Sequence, residues 1–165
     1  MLHIYTGDGK GKTTAAIGLA LRAAAAGKRI LFFQFLKPDT SGERRTLSAI
    51  KNITVFNVDE DIPFLFNADD EKRRNLKGLY KEKTDMFFSI ASLYDVFVFD
   101  EAVCAIDAGV LEKEDVLRFK SFGEVILTGR GNIDLLENEA DYITYMKKIK
   151  HPYDAGSAAR EGIEY

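Results

Sequence analysis

The sequence has one cysteine, three prolines, no tryptophan and no excess of basic residues. A lone Cys104 cannot close an internal disulfide, which removes the disulfide-stapled secreted domains. No apolar run approaches the roughly 18 residues that a membrane helix needs. The opening MLHIYTG also has neither the charged nor the apolar segment of an export signal. These shortages predict a soluble, cytoplasmic protein with no membrane partner. With 23 Lys and Arg against 26 Asp and Glu, the net charge of −3 offers no footprint for a nucleic-acid backbone. A small or acidic ligand held by a local patch is the better expectation. What is present, 165 residues with 46% hydrophobic and 30% charged side chains, suits a single globular domain spanning 1–165.

Along the chain, short β-branched or aromatic runs alternate with helical stretches. The runs are LHIYT (2–6), RILFFQFL (29–36), ITVFNV (53–58), VFVFD (96–100), EVILTG (124–129) and YITYM (142–146). Several are apolar almost throughout, as strands covered on both faces must be. The helical stretches are 13–27, closed by Gly27, then 43–51, 68–94, 111–120 and 133–140. The pattern predicts a doubly wound α/β fold with about six mostly parallel strands, and in such a sheet ligands sit beyond the carboxyl ends of the strands.

One of those ends carries TGDGKGKTT, residues 6–14. It finishes as a phosphate-binding loop does, in Gly11-Lys12-Thr13, but Thr6 stands where the usual pattern has its first glycine. Gly7, Gly9 and Gly11 allow a tight turn that points successive N–H groups at an anion, and the following helix adds its positive end. Lys12 reaches phosphate oxygens, Thr13 is placed to ligate Mg²⁺, and Thr14 caps the helix or contacts phosphate. VFVFDE (96–101) supplies the second half, with Asp100 or Glu101 at a strand end beside the loop, able to hold the metal directly or through water.

Taken together, TGDGKGKTTAAIGLALRAAAAGK, FFQFLK, SGER, FVFDEA, ILTGRG and the tail KHPYDAGSAAREGIEY resemble the ATP:cob(I)alamin adenosyltransferases, a corrinoid adenosyltransferase family with a RecA-like P-loop fold. The match runs in order along nearly the whole chain, and the tail is its most specific part. The missing first glycine is the family's own pattern, with Asp8 here where better-known members have Asn. The resemblance implies transfer of the 5′-deoxyadenosyl group of ATP to the Co(I) of a reduced corrinoid, in adenosylcobalamin biosynthesis or salvage, with release of triphosphate. It assigns Gly7, Asp8, Gly9, Lys10, Gly11, Lys12, Thr13 and Thr14 to the phosphates. Thr13 and Glu101, with Asp100 as alternate, go to Mg²⁺. It also implies a homodimer and an electron donor such as a flavodoxin or reduced flavin. The alternative reading of the same loop is a P-loop ATPase or phosphotransferase that releases ADP.

PFLF (63–66) aligns with the family's Gly-Phe-Thr-Trp, so Phe64 and Phe66 resemble the aromatics that hold the lower face of the corrinoid. The other reading has both rings plugging the core under a loop. Arg130 in TGRG meets phosphate or is a solvated turn residue. His151, Tyr153 and Asp154 tie down the tail, and Cys104 reads as a small core residue. Better-known members carry a basic arm before the first strand. Here that strand opens almost at residue 1, so any lid over the corrinoid is expected from the 57–70 loop or a partner subunit.

Overall fold

The structure is a computed structural model that describes residues 1–37, 42–56, 69–156, 158–160 and 162–163. Six strands form one sheet in the order β3-β2-β4-β5-β1-β6, and every pairing is parallel. The strands are β1 (Leu2–Thr6), β2 (Ile30–Gln34), β3 (Ile53–Phe56), β4 (Val96–Asp100), β5 (Glu124–Thr128) and β6 (Tyr142–Tyr145). Parallel neighbours need crossovers, which are supplied by α1 (Lys12–Ala25), α2 (Gly42–Ser48), α3 (Asp70–Ser89), α4 (Ala102–Asp107), α5 (Lys113–Leu117) and α6 (Asp134–Glu137). This is the expected doubly wound architecture.

The two faces of the sheet are packed by different means. On one, Ala16, Ala20 and Ala24 recur every fourth residue of α1, and their small side chains let the helix lie close on Phe32, Val98 and Ile126. On the other, Leu76, Tyr80, Thr84 and Phe87 of α3 face a core of aromatic rings from β2 and β4. Phe35 meets Tyr80 edge to face at 4.8 Å between centroids, and Phe33 meets Phe87 at 5.0 Å. Burying such rings stabilises the domain by about 1.5–3 kcal/mol each. The central strands β2 and β4 are buried at every position, which is why they read as unbroken apolar runs.

Several boundaries differ from the sequence expectation. The run 29–36 is a strand only through Gln34, because Leu36 turns to a left-handed φ of 57° and gives its N–H to the Tyr80 hydroxyl at 2.8 Å. The stretch 68–94 becomes α3 plus a short 3₁₀ turn at Ala91–Leu93. Helix α4, with no expectation behind it, occupies the six residues AVCAID directly after β4. Edge strand β6 is exposed at all four positions and is not covered on both faces. Gly27, with φ of 82°, follows α1 in the left-handed conformation expected of a helix terminator.

Candidate active site

The carboxyl ends of β1, β2, β4, β5 and β6 converge on one edge of the sheet, where a cleft of about 800 Å³ opens. Among the described residues, six cations line it, Lys10, Lys12, Lys37, Arg130, Lys148 and Arg160, against the acids Asp8, Glu101 and Asp154. A chain of net charge −3 thus gathers, among its described residues, a local positive excess at one place. That is the patch an anionic ligand requires.

The loop after β1 is shaped by its neighbours. A Cβ on Gly7 would lie 2.5 Å from the carbonyl oxygen of Met146, and one on Gly9 would lie 2.7 Å from the same atom. Gly9 N–H donates to that oxygen at 2.7 Å, and Met146 N–H returns to Thr6 O at 2.8 Å. The end of β6 therefore holds the loop by its backbone, and only glycine fits at 7 and 9. Helix α1 begins after Gly11 with no side-chain cap, so its first-turn N–H groups, at the cleft wall, are left without a side-chain acceptor. Lys12 is buried, and its ammonium donates to the carbonyls of Gly7 at 2.8 Å and Gly9 at 2.7 Å. Burial, reinforced by the Arg130 charge, pulls its pKa below the ordinary lysine value.

Asp100 is the hub of the site. Its carboxylate is fully buried at the end of β4 and accepts from four donors. Oδ1 takes the hydroxyls of Thr13 at 2.7 Å and Thr128 at 2.5 Å, while Oδ2 takes Gln34 Nε2 at 3.1 Å and Lys37 Nζ at 2.8 Å. Strand β5 lies between β1 and β4, and its terminal Thr128 spans the gap. Because the Thr128 hydroxyl accepts from Glu101 N–H at 3.0 Å, its proton is left for Asp100. Gln34 also donates to Glu43 at 2.8 Å, which draws the start of α2 to the same network.

Glu101 adopts φ of 58°, a left-handed conformation rare outside glycine, and so stores strain beside the cleft. Its Oε1 lies 3.7 Å from Lys37 Nζ, and its Oε2 accepts from the Cys104 thiol at 3.0 Å. The Cys104 sulfur in turn accepts from Arg130 N–H at 3.1 Å. Burial first, and the Glu101 charge second, push the Cys104 pKa up to about 12, so the thiol stays protonated and serves as a hydrogen-bond link.

The tail returns over the loop. Asp8 Oδ1 accepts from Lys148 N–H at 3.0 Å, which holds its pKa below the usual carboxylate value, and Lys148 Nζ pairs with Asp154 at 3.0 Å. His151 Nδ1 accepts from Tyr153 N–H at 3.2 Å, and Pro152 and Tyr153 line the cleft.

The structure thus brings the residues from Gly7 to Thr14 together with Asp100, Glu101, Arg130 and the 151–154 segment. Phe64 and Phe66 lie outside the described residues. Sequence reasoning left Lys37, Thr128 and Met146 without a role. Thr128 had a signal, since a polar residue closing an apolar strand echoes Asp100 at the end of its own strand. Met146 had none, because it acts through its backbone.

The all-parallel sheet with its flanking helices, and the glycine loop that runs from β1 into α1, define an α/β protein of P-loop NTPase-like architecture. The sequence matches the family model of the ATP:corrinoid adenosyltransferases BtuR/CobO/CobP over residues 1–165. It is similar to the corrinoid adenosyltransferase of Escherichia coli K12, 33% identical over 174 residues that cover 100% of this chain and 85% of that protein. It is also similar to the corrinoid adenosyltransferase CobA of Salmonella typhimurium LT2, 31% identical with coverage of 100% and 85%. The Pseudomonas aeruginosa corrinoid adenosyltransferase is 28% identical, with coverage of 100% and 83%. The chain belongs to the ATP:corrinoid adenosyltransferase family.

Proposed function

We propose that the cleft binds ATP with Mg²⁺ and transfers its 5′-deoxyadenosyl group to the Co(I) of a reduced corrinoid. What carries the reading is end-to-end membership of the family in a chain whose loop, Lys12 and Thr13 form one cationic cradle. The Co(I) lone pair attacks C5′, the C5′–O bond breaks, and its electron pair passes to the α-phosphate oxygen. Triphosphate is the leaving group, so the protein's task is to hold the chain in line and to spread the developing charge. Lys12, freed from the Gly7 and Gly9 carbonyls it now holds, donates to phosphate oxygens. The α1 amides and Arg130 support the same chain.

The donor set suits magnesium. Hard oxygens from Thr13, Asp100 and Glu101 surround one position, and a cation already stands among them in the Lys37 ammonium, 2.8 Å from Asp100 and 3.4 Å from Thr13. Thr13 would ligate the ion through its oxygen while its hydroxyl goes on donating to Asp100, and Glu101 would bind directly or through water. The metal supplies charge neutralisation along the leaving group. Phe64 and Phe66 bear on the corrinoid, the enzyme works as a cytoplasmic homodimer, and a flavodoxin or reduced flavin supplies the electron for Co(I). No described helix is long and apolar enough to cross a membrane.

The test is to mix protein, ATP, Mg²⁺ and chemically reduced corrinoid, follow the corrinoid spectrum, and separate the phosphate products. One inorganic triphosphate per carbon–cobalt bond is expected. Corrinoid-independent ADP release at a comparable rate would make the protein an ATPase or phosphotransferase instead.

A further inference from the structure

Lys37 stands among the oxygens proposed above for the metal. Its ammonium is 2.8 Å from Asp100 Oδ2, 3.4 Å from Thr13 Oγ1 and 3.7 Å from Glu101 Oε1, so one oxygen from the first turn of α1 and two from the adjacent residues at the end of β4 converge on one tethered charge. Asp100 is fully buried, and a carboxylate withdrawn from water needs a compensating charge. Thr13 and Thr128 supply neutral hydroxyls and Gln34 a neutral amide. Lys37 is the one cation among the four donors described on that carboxylate. The left-handed turn at Leu36, pinned by Tyr80, aims the side chain into the cluster.

We propose that Lys37 is a tethered counter-ion for the Thr13–Asp100–Glu101 oxygens, which Mg²⁺ must displace to enter. The inference rests on the metal–nucleotide reading of this cleft. Two ions of like charge cannot share a position bounded by these three oxygens, so metal entry requires the ammonium to leave. A bare metal ion meets that opposition alone. A metal that arrives on a triphosphate brings anionic oxygens with which the displaced ammonium can pair. Lys37 thereby makes the site select the metal–nucleotide complex over free Mg²⁺, and it is a positioning residue for the metal-side oxygens.

The experiment uses the whole chain without nucleotide or corrinoid, so its outcome is independent of whether adenosyl transfer is the reaction. Thermal unfolding is followed with and without millimolar Mg²⁺ in the wild type, Lys37→Met and Lys37→Arg, and Mn²⁺ binding is titrated by EPR. Removing the charge while keeping the length should make Lys37→Met gain several degrees on adding Mg²⁺ where the wild type gains almost none. It should also bind Mn²⁺ about tenfold tighter or more. Lys37→Arg, which retains the cation, should behave as the wild type does. If Lys37→Met is less stable than the wild type without metal, the Mg²⁺-dependent gain remains the readout. Equal Mg²⁺ shifts and equal Mn²⁺ affinities in all three proteins would overturn the proposal, as would a Lys37→Arg protein matching Lys37→Met.

Discussion

The hydroxyl of Thr13 donates to Asp100 at 2.7 Å across 87 residues of sequence, joining the first turn of α1 to the end of a strand that is not the neighbour of β1. The phosphate loop and the buried acid therefore form one unit. Strand β5, inserted between them, contributes Thr128 to the same oxygen.

Removing either partner has a different signature. Thr13→Ala deletes one hydrogen bond to Asp100 and the oxygen proposed for the metal, so activity should fall by about a hundredfold or more. Stability should fall by only about 1.5 kcal/mol. Asp100→Asn leaves the Lys37 ammonium facing a neutral amide and should cost about 3 kcal/mol of stability as well as activity. Denaturant unfolding beside turnover assays separates the two. Equal destabilisation by both variants would contradict the hub role of Asp100.

Alanine at glycine positions should divide sharply by site. Gly7→Ala and Gly9→Ala drive a methyl to within 2.7 Å of the Met146 carbonyl, so the loop or the end of β6 must shift, with loss of nucleotide binding and a lower melting temperature. Gly18, on the exposed side of α1 with nothing within 4 Å of a built Cβ, should behave oppositely. Gly18→Ala should stabilise the protein by about 0.5–1 kcal/mol with binding intact. Calorimetry of the three variants with a nucleotide analogue checks the contrast.

Cys104 should be unreactive although it lies beside the cleft. A shift from an ordinary value of 9.0 to about 12 leaves roughly a thousandfold less thiolate at any pH below both. Alkylation of the folded protein near neutral pH should be correspondingly slow and should become rapid on unfolding. The folded state holds this proton more tightly, so the stabilisation is fully present below pH 9.0 and is lost as pH rises from there toward about 12. The difference in pH dependence between wild type and Cys104→Ala isolates this contribution. A folded thiol alkylated as fast as a free one would disprove the assignment.

Legibility in the sequence followed the range of the interactions. Strands β2 and β4 are apolar at nearly every position because helices cover both faces, and that pattern survives in one dimension. Helix α4 was invisible because it is six residues long and starts from a left-handed Glu101, with no side-chain cap to announce it. The loop was legible through its glycines. That Gly7 and Gly9 answer to the Met146 backbone was not, since any residue type at 146 carries the same carbonyl. Asp100 was readable as an acid at a strand end. Its preference for Thr13, and the left-handed turn that sends Lys37 to it, depend on strand order and on Tyr80, which lies 44 residues from Leu36.

The grip of Met146 on the loop also has a mechanical meaning. Strand β6 is the outermost of the sheet, paired among the described residues only with β1 and exposed along its length, with Tyr145 65% accessible. No described strand pairs with its far edge. The stiffness of the phosphate cradle is therefore set at the rim of the molecule. Anything that braces or peels that rim pulls on Gly9 through a single 2.7 Å bond.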